Sequence, residues 1–308
     1  MLSEEGCGHN PKITHIREEE FHQKRVTKKR KQILWPIIWT LSAVAGTYGA
    51  LAYLDVKAGI PSSDGSHLLE RAQLPQTWYL TPAVVRQGLE VAWREIDSLT
   101  IGVVIASIVT HVLTRSNPTI LRNLVHVTSV AKWTAFTYPL TYTNWTHLAM
   151  SMTALVWFLP SVVHYFDGDL FHVSAFLVSV PLITSCLTHI AYRLNLIQAT
   201  NLHAGASGAV IAAFGIYCIV YGQEKVWVPV GLVFRLDARE WGLLFVLHLV
   251  YNMTQASKSA KRPASMIHMI SFALGLAYAH FNMKHHLWIP LVSEASSIWG
   301  LDTAGTEE

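Results

Sequence analysis

Long apolar stretches without charged residues recur along this chain and limit the folds that it can adopt. The first, residues 33–54, contains no charged side chain, and a helix needs about 20 predominantly apolar residues to cross a bilayer. Six further apolar stretches follow at residues 99–113, 147–163, 171–192, 205–221, 241–253 and 264–280. The stretch at 241–253 is the weakest, because four charged residues lie between residues 235 and 240. We therefore expect an all-α polytopic membrane protein with seven transmembrane helices.

The composition favours a membrane protein over a soluble domain. Hydrophobic residues make up 51% of the chain and charged residues only 14%, whereas soluble domains carry about 25% charged residues. The 11 Trp and 11 Tyr residues agree with this, because both types favour membrane interfaces. The net charge of +3 comes largely from one basic run, so we expect membrane lipids and no nucleic acid as partners. The three widely spaced cysteines predict neither a disulfide framework nor a metal site.

The basic run defines the expected organisation and orientation. Residues 1–32 form a polar basic tail, 33–54 a first transmembrane helix, 55–98 a polar linker, 99–280 a six-helix core and 281–308 a C-terminal tail. Six Lys and Arg residues lie between residues 24 and 31, directly before the first apolar stretch, which predicts the N-terminus on the inner side of the membrane. A nuclear-localisation-like patch or a contact with lipid headgroups would explain the same run. Alternate loops agree with the topology, since the inner side would carry Arg115, Arg122, Lys132, Lys258, Lys261 and Arg262.

Two polar residues within the apolar stretches are candidates for chemistry, because polar groups at membrane depth are costly. Ser207 lies in GASGAV near the start of the fifth stretch, and His268 lies in IHMISFALGL of the seventh. A serine hydroxyl is a weak nucleophile unless a base accepts its proton. Alternatively, Ser207 bonds to a backbone carbonyl of its own helix and His268 is a packed interior residue.

Small residues predict a close crossing of the fifth and seventh helices. Ser271 and Gly275 follow His268 at i+3 and i+7 and share its helix face, and Gly208 and Ala212 give the fifth helix a matching small stripe. Such faces let transmembrane helices approach closely. This crossing would bring His268 within hydrogen-bond distance of Ser207. A third polar group, the pair His147 and Ser151, shares one face at the start of the third stretch.

These motifs resemble those of a known family. GASGAV resembles the G-x-S-G active-site motif of rhomboid intramembrane serine proteases, and H-x-x-S-x-x-x-G from His268 resembles their H-x-x-G-x-x-x-G. The segment YPLTYTNWTHLAMSM from Tyr138 resembles the approach to the second rhomboid helix, where H-x-x-x-N lines the oxyanion pocket. The resemblance covers residues 99–280. One helix before a six-helix core, preceded by a basic tail, resembles the mitochondrial presenilin-associated rhomboid subgroup.

The resemblance implies a fold, an activity and a set of site residues. The fold is a rhomboid-like six-helix bundle plus one N-terminal transmembrane helix. Ser207 is the expected nucleophile and His268 the general base. His147, Ser151 and Gly205 are expected to stabilise the oxyanion, and the residues that pack the helices around the site are Gly208, Ser271 and Gly275.

No cofactor or metal is implied by the resemblance. Substrates would be single-span membrane proteins, and the subgroup implies the mitochondrial inner membrane, with the N-terminus in the matrix and the C-terminus in the intermembrane space.

Three departures from the family pattern leave a second function open. Ser151 replaces the family's asparagine, Ser271 replaces a glycine, and Trp133-Thr134 lacks the arginine of the usual tryptophan-arginine pair. The chain could therefore be an inactive rhomboid-like structural subunit of a large inner-membrane complex. A transporter has little support, since no internal repeat is evident. The sequence contains no H-E-x-x-H motif for a zinc protease.

Overall fold

The computed structural model describes residues 33–58, 81–124, 133–194, 196, 207–226, 236–255 and 261–299, and within these the chain is almost entirely helical. The α-helices are α1 Leu34–Ala58, α2 Pro82–Glu95, α3 Ser98–Ser116, α4 Pro118–Leu124, α5 Thr134–Thr137, α6 Trp145–Tyr165, α7 Leu170–Arg193, α8 Ser207–Val220, α9 Ala238–Gln255, α10 Lys261–His280 and α11 Ile289–Ile298. A 3₁₀ turn covers Tyr138–Leu140 and a π-helical turn covers Lys284–Trp288. Two short antiparallel strands, β1 Lys225–Val226 and β2 Leu236–Asp237, precede α9. The expected all-α class is confirmed.

Each predicted transmembrane stretch contains a helix, but the helices differ in length and polarity. By length and composition α1, α3, α6 and α7 could each cross a bilayer. Helix α8 is shorter, at 14 residues. Helix α10, from residue 264, and the segment Lys284–Ile298 together satisfy the same criteria as a pair bent by 72°.

Two segments expected as linker or tail contain helices. Within the expected linker 55–98, α1 continues to Ala58 and α2 begins at the Thr81 cap, whose side chain accepts from the Val84 N–H. Within the expected tail 281–308, the chain bends by 72° after α10, near Asn282, which has a φ of 46°, and continues as α11. This helix is ordered by apolar packing against α1, because Leu291, Val292 and Ala295 join the cluster around the buried Trp288.

Helix α3 shows the arrangement of side chains that a bilayer imposes. Its buried side chains are all polar, namely Thr100, Ser107, His111 and Thr114. Its exposed side chains include Ile101, Ile105, Ile108, Val109 and Val112. An exposed aliphatic stripe opposite a polar buried stripe is the reverse of a soluble amphipathic helix, and polar side chains between transmembrane helices are common. The pattern supports a membrane-embedded bundle.

Aromatic contacts show that successive long helices run antiparallel. Trp39, in the first half of α1, contacts Phe136 with ring centroids 6.0 Å apart. His111, in the last part of α3, contacts Trp145 at the start of α6, with centroids 4.5 Å apart. Met266, near the start of α10, packs against Ala191 and Tyr192 at the end of α7, and residues 207 and 268, near the starts of α8 and α10, are in contact. Together these contacts place the beginnings of α1, α6, α8 and α10 and the ends of α3 and α7 toward one face of the bundle, termed the upper face. The opposite face is termed the lower face.

A polar and aromatic cluster at the lower face joins α1 to the core. Tyr48 in α1 donates a hydrogen bond to the hydroxyl of Tyr278 in α10, at 3.0 Å. The same Tyr278 hydroxyl lies 2.7 Å from His172 Nε2 in α7. The His172 ring stacks on Trp288, with an interplanar angle of 3°. Helix α1 is thus linked to both α7 and α10 rather than resting on the bundle by apolar contacts alone.

The turn between α6 and α7 holds the segment after α10 at this face. Asp169 caps α7, because its Oδ1 accepts from the His172 N–H at 2.8 Å, and its Oδ2 accepts from Trp288 Nε1 at 2.5 Å. Lys284 forms an ion pair with Asp167. These contacts explain why the chain continues as an ordered helix beyond His280.

Candidate active site

Ser207 and His268 meet at the upper face of the bundle. Ser207 is the first residue of α8, and His268 lies seven residues into α10. Ser207 Oγ is 3.3 Å from His268 Nε2, and both residues are half-buried. An imidazole nitrogen this close to a hydroxyl can accept its proton with a small adjustment of geometry. The structure therefore brings together the two residues that the sequence suggested as a dyad.

The dyad distance depends on an unusually close contact between α8 and α10. A Cβ added to Gly275 would fall on the backbone of Ala212, and one added to Gly215 would lie 2.6 Å from the Phe272 carbonyl oxygen. The two backbones are therefore in direct contact at these points, where no side chain fits. Gly275 and Ala212 belong to the small stripes seen in the sequence, whereas Gly215 was missed, although it follows Gly208 at i+7 on the same helix face.

Ser271 lies one turn along α10 from His268, against Gly208. Its Oγ is 3.1 Å from the position that a Cβ on Gly208 would occupy. It is also 3.1 Å from Thr184 Oγ1 in α7, and both hydroxyl-bearing residues are buried. Sequence reasoning missed Thr184, because a threonine in an apolar stretch carries no local signal of a partner 87 positions away.

His147 lies in the first turn of α6, at the same face. Its backbone N–H donates to the Asn144 side chain at 2.7 Å, so Asn144 is the N-cap that starts α6 beside the site. Its Nδ1 lies 3.4 Å from Thr143 Oγ1, and its ring contacts Tyr142 edge-on at 5.4 Å. The imidazoles of His147 and His268 are close enough to interact electrostatically. A side-chain donor is therefore available near the dyad.

Ser151 and Gly205 are the other two residues expected to stabilise the oxyanion. Ser151 is buried one turn beyond His147 on α6, and within the described part of the chain its hydroxyl does not bond to Ser207 or His268. Gly205 lies outside the described residues.

The start of α8 supplies backbone N–H groups that have no acceptor within the helix, together with the positive end of its dipole. Among the described residues, no cluster of three or more His, Cys, Asp or Glu side chains could hold a metal ion.

Comparison with known protein families identifies the family to which the chain belongs. Residues 130–285 match the Rhomboid domain, which is just over half of the 308 residues and includes His147, Ser207 and His268. The chain belongs to the rhomboid family. It is a polytopic membrane protein, and the matched region begins after α4. Comparison with curated proteins finds no match.

Proposed function

We propose that this protein is a rhomboid-type intramembrane serine protease that cleaves transmembrane segments with a Ser207–His268 dyad. The observation that carries the proposal is the 3.3 Å separation of Ser207 Oγ and His268 Nε2 at the upper face. The close contact between α8 and α10 supports it, because that contact fixes the geometry on which proton transfer depends.

The proposed reaction begins when Ser207 Oγ attacks the scissile carbonyl carbon while His268 Nε2 accepts the hydroxyl proton. The carbonyl π electrons move to oxygen, which forms a tetrahedral oxyanion. The protonated His268 then gives the proton to the leaving nitrogen as the carbon–nitrogen bond breaks. Water attacks the resulting acyl-Ser207 ester while His268 accepts a proton from that water, which forms a second tetrahedral intermediate. As this intermediate collapses, the bond between the acyl carbon and Ser207 Oγ breaks, His268 returns the proton to Ser207 Oγ, and the product with the new carboxyl group leaves.

The oxyanion would be stabilised by donors at the upper face. The Ser207 N–H at the start of α8 and the His147 imidazole are the principal proposed donors, with Gly205 and Ser151 as further contributors. Losing one such donor typically lowers the rate by about 10²-fold or more. His147 is supported in this role by the Asn144 cap, which fixes the start of α6.

The proposed substrates are single-span membrane proteins whose helices contain small or helix-breaking residues near the bilayer surface. A reconstituted assay tests this activity. The purified protein in proteoliposomes should cleave such a single-span reporter, and neither the Ser207→Ala nor the His268→Ala variant should do so. Cleavage that persists in both variants would contradict the proposal.

A second candidate function is that of a weakly active or inactive structural subunit of an inner-membrane complex. Ser151 and Ser271, which stand where the family has asparagine and glycine, favour it. Stoichiometric co-purification with a large complex from mildly solubilised membranes, together with absence of reporter cleavage, would support the structural role. Efficient cleavage by the isolated protein, without co-purification of a complex, would contradict it.

We further propose that the protein lies in the mitochondrial inner membrane as a member of the presenilin-associated subgroup, with its N-terminus in the matrix. The support is α1, which precedes the matched domain and packs on the core, and the basic run before it. The dyad would then open toward the matrix, since α1 begins at the upper face. Protease protection of N-terminal and C-terminal tags in isolated mitochondria and mitoplasts tests this orientation. Digestion of the N-terminal tag in mitoplasts would contradict it.

A further inference from the structure

A buried hydrogen bond between α7 and α10 lies one helical turn along α10 from the candidate dyad. Thr184 Oγ1 and Ser271 Oγ are 3.1 Å apart. The exposed fractions are 1% for Thr184 and 0% for Ser271. An unpaired hydroxyl at this depth has no water to replace its partner, so the bond is costly to break. It joins the helix that carries His268 to a helix that carries neither member of the dyad.

Thr184 and the threonine one turn further along α7 differ in the partner of their hydroxyl group. The Thr188 hydroxyl donates to the Thr184 carbonyl oxygen at 2.7 Å, a bond within its own helix. Thr188 is equally buried, with an exposed fraction of 2%. The Thr184 hydroxyl instead bonds across to α10. Thr188 is therefore a natural control for the effect of removing a buried threonine hydroxyl from α7.

Ser271 also contacts α8 beside the nucleophile. Its Oγ lies 3.1 Å from the position of a Cβ on Gly208, the residue that follows Ser207. Helices α7, α8 and α10 consequently meet at the Ser271 side chain. One hydroxyl group both fills the space beside Gly208 and bonds to Thr184.

The rotation of α10 about its axis determines where the His268 imidazole lies. A side-chain atom lies about 6 Å from a helix axis, so a rotation of about 10° moves it by about 1 Å. A displacement of this size at a catalytic group can lower the rate by about 10²-fold. A directional bond three residues from His268 therefore restrains the rotation of α10, on which the distance between His268 and Ser207 depends.

We propose that Thr184 and Ser271 form a positioning pair that fixes the rotation of α10, and thereby holds His268 Nε2 against Ser207 Oγ. The inference rests on the proposed function, because it concerns the same site. Neither hydroxyl touches the reacting atoms. The serine that replaces the family's glycine is thus part of an alternative way of setting the helix crossing, with Thr184 as its partner.

The first experiment measures the rate at which a fluorophosphonate probe labels Ser207 in Thr184→Val, Ser271→Ala and the double variant, with Thr188→Val as control. We expect each single substitution to slow labelling about tenfold or more and the double variant to be no slower than the slower single variant. Thr188→Val should stay within about twofold of the wild type, and Thr184→Ser, which keeps the hydroxyl, should label at close to the wild-type rate. Equal losses in Thr184→Val and Thr188→Val, or single losses that multiply in the double variant, would overturn the proposal.

The second experiment separates this proposal from the proposed protease activity. In a Ser207→Cys background, the rate of iodoacetamide alkylation at position 207 is followed by peptide mass spectrometry, with and without His268→Ala. A neighbouring imidazole raises the thiolate fraction, so alkylation should slow when His268 is removed, and Thr184→Val should make that difference smaller. If the wild type is not labelled by the probe, the protease proposal fails, and the alkylation result alone decides the positioning proposal. A His268-dependent difference that Thr184→Val leaves undiminished, or alkylation that does not depend on His268, contradicts the positioning proposal.

Discussion

Gly275 of α10 lies directly against the backbone of Ala212 in α8, so that a Cβ at residue 275 would fall on the Ala212 carbonyl group. This contact lies one turn beyond Ser271 and brings the helices of the candidate dyad together. A side chain here cannot be accommodated by moving another side chain, because the obstacle is backbone.

We predict that Gly275→Ala separates α8 from α10 and lowers the free energy of unfolding by about 2 kcal/mol or more, as overpacking does in other interiors. The matched control is Gly49→Ala in α1, where a Cβ would meet nothing within 4 Å and alanine favours the helix by about 1 kcal/mol. Thermal unfolding in one detergent measures both variants. Similar unfolding temperatures for the two would show that the α8–α10 contact is not tight.

A second prediction concerns the space that Gly208 and Ser271 share. Gly208→Ala should be destabilising, because the new Cβ would lie 3.1 Å from Ser271 Oγ. Adding Ser271→Gly should relieve that contact, while Ser271→Gly alone should cost about 1 kcal/mol or more by leaving the buried Thr184 hydroxyl without its partner. Thermal unfolding of the two single variants and the double variant measures this compensation. Additive losses in the double variant would contradict it.

The sequence predicted the helices well, because an apolar stretch of sufficient length has few alternatives in a bilayer. It also suggested that Ser207 and His268 are neighbours, because the small residues at 208, 212, 271 and 275 leave few other ways to pack two helices. These inferences needed only local periodicity and residue size.

The parts of the structure that the sequence did not predict depend on contacts between residues far apart in the chain. Tyr48 and Tyr278 are 230 positions apart, and neither residue differs locally from the other interfacial tyrosines. Helix α11 was not predicted for a related reason. Its ten residues are too few to cross a bilayer, and its order depends on packing against α1. Long-range polar contacts such as these leave no periodic signal in the sequence.

A third prediction tests how α1 is held. Tyr48→Phe removes one donor to Tyr278, and we expect a loss of about 0.5–1 kcal/mol, typical of a hydrogen bond between transmembrane helices. Tyr278→Phe should cost more, because it leaves both the Tyr48 hydroxyl and His172 Nε2 without this partner. Tyr53→Phe is the control, since Tyr53 contacts Trp299 through its ring. An equal shift in unfolding temperature for all three variants would mean that the hydroxyl chain does not hold α1.

A fourth prediction concerns pH and the lower-face turn. Burial raises the pKa of Asp169 above its usual range, against the opposing effect of its hydrogen bonds with the His172 N–H and Trp288 Nε1. The folded state therefore holds the Asp169 proton more tightly than the unfolded state does. Its contribution to stability is fully present below the unfolded-state pKa, about 3.9, and is lost as pH rises through the folded-state pKa.

Asp169→Asn removes that titration. We expect the stability of this variant, relative to the wild type, to increase as pH rises from about 4 to about 7. The variant also loses one acceptor at Trp288, so the informative quantity is the change with pH and not the difference at one pH. Thermal unfolding of both proteins across this range measures it, and a difference that stays constant or decreases with pH would contradict the prediction.

The most direct test of the central claim is to locate the adduct that a fluorophosphonate probe forms with the purified protein. If His268 activates Ser207, peptide mass spectrometry should find the adduct on Ser207 in the wild type. The His268→Ala variant should be labelled about 10²-fold more slowly or not at all, although it folds. No adduct on Ser207, or labelling that is unchanged when His268 is removed, would contradict the claim that these two residues form a working dyad.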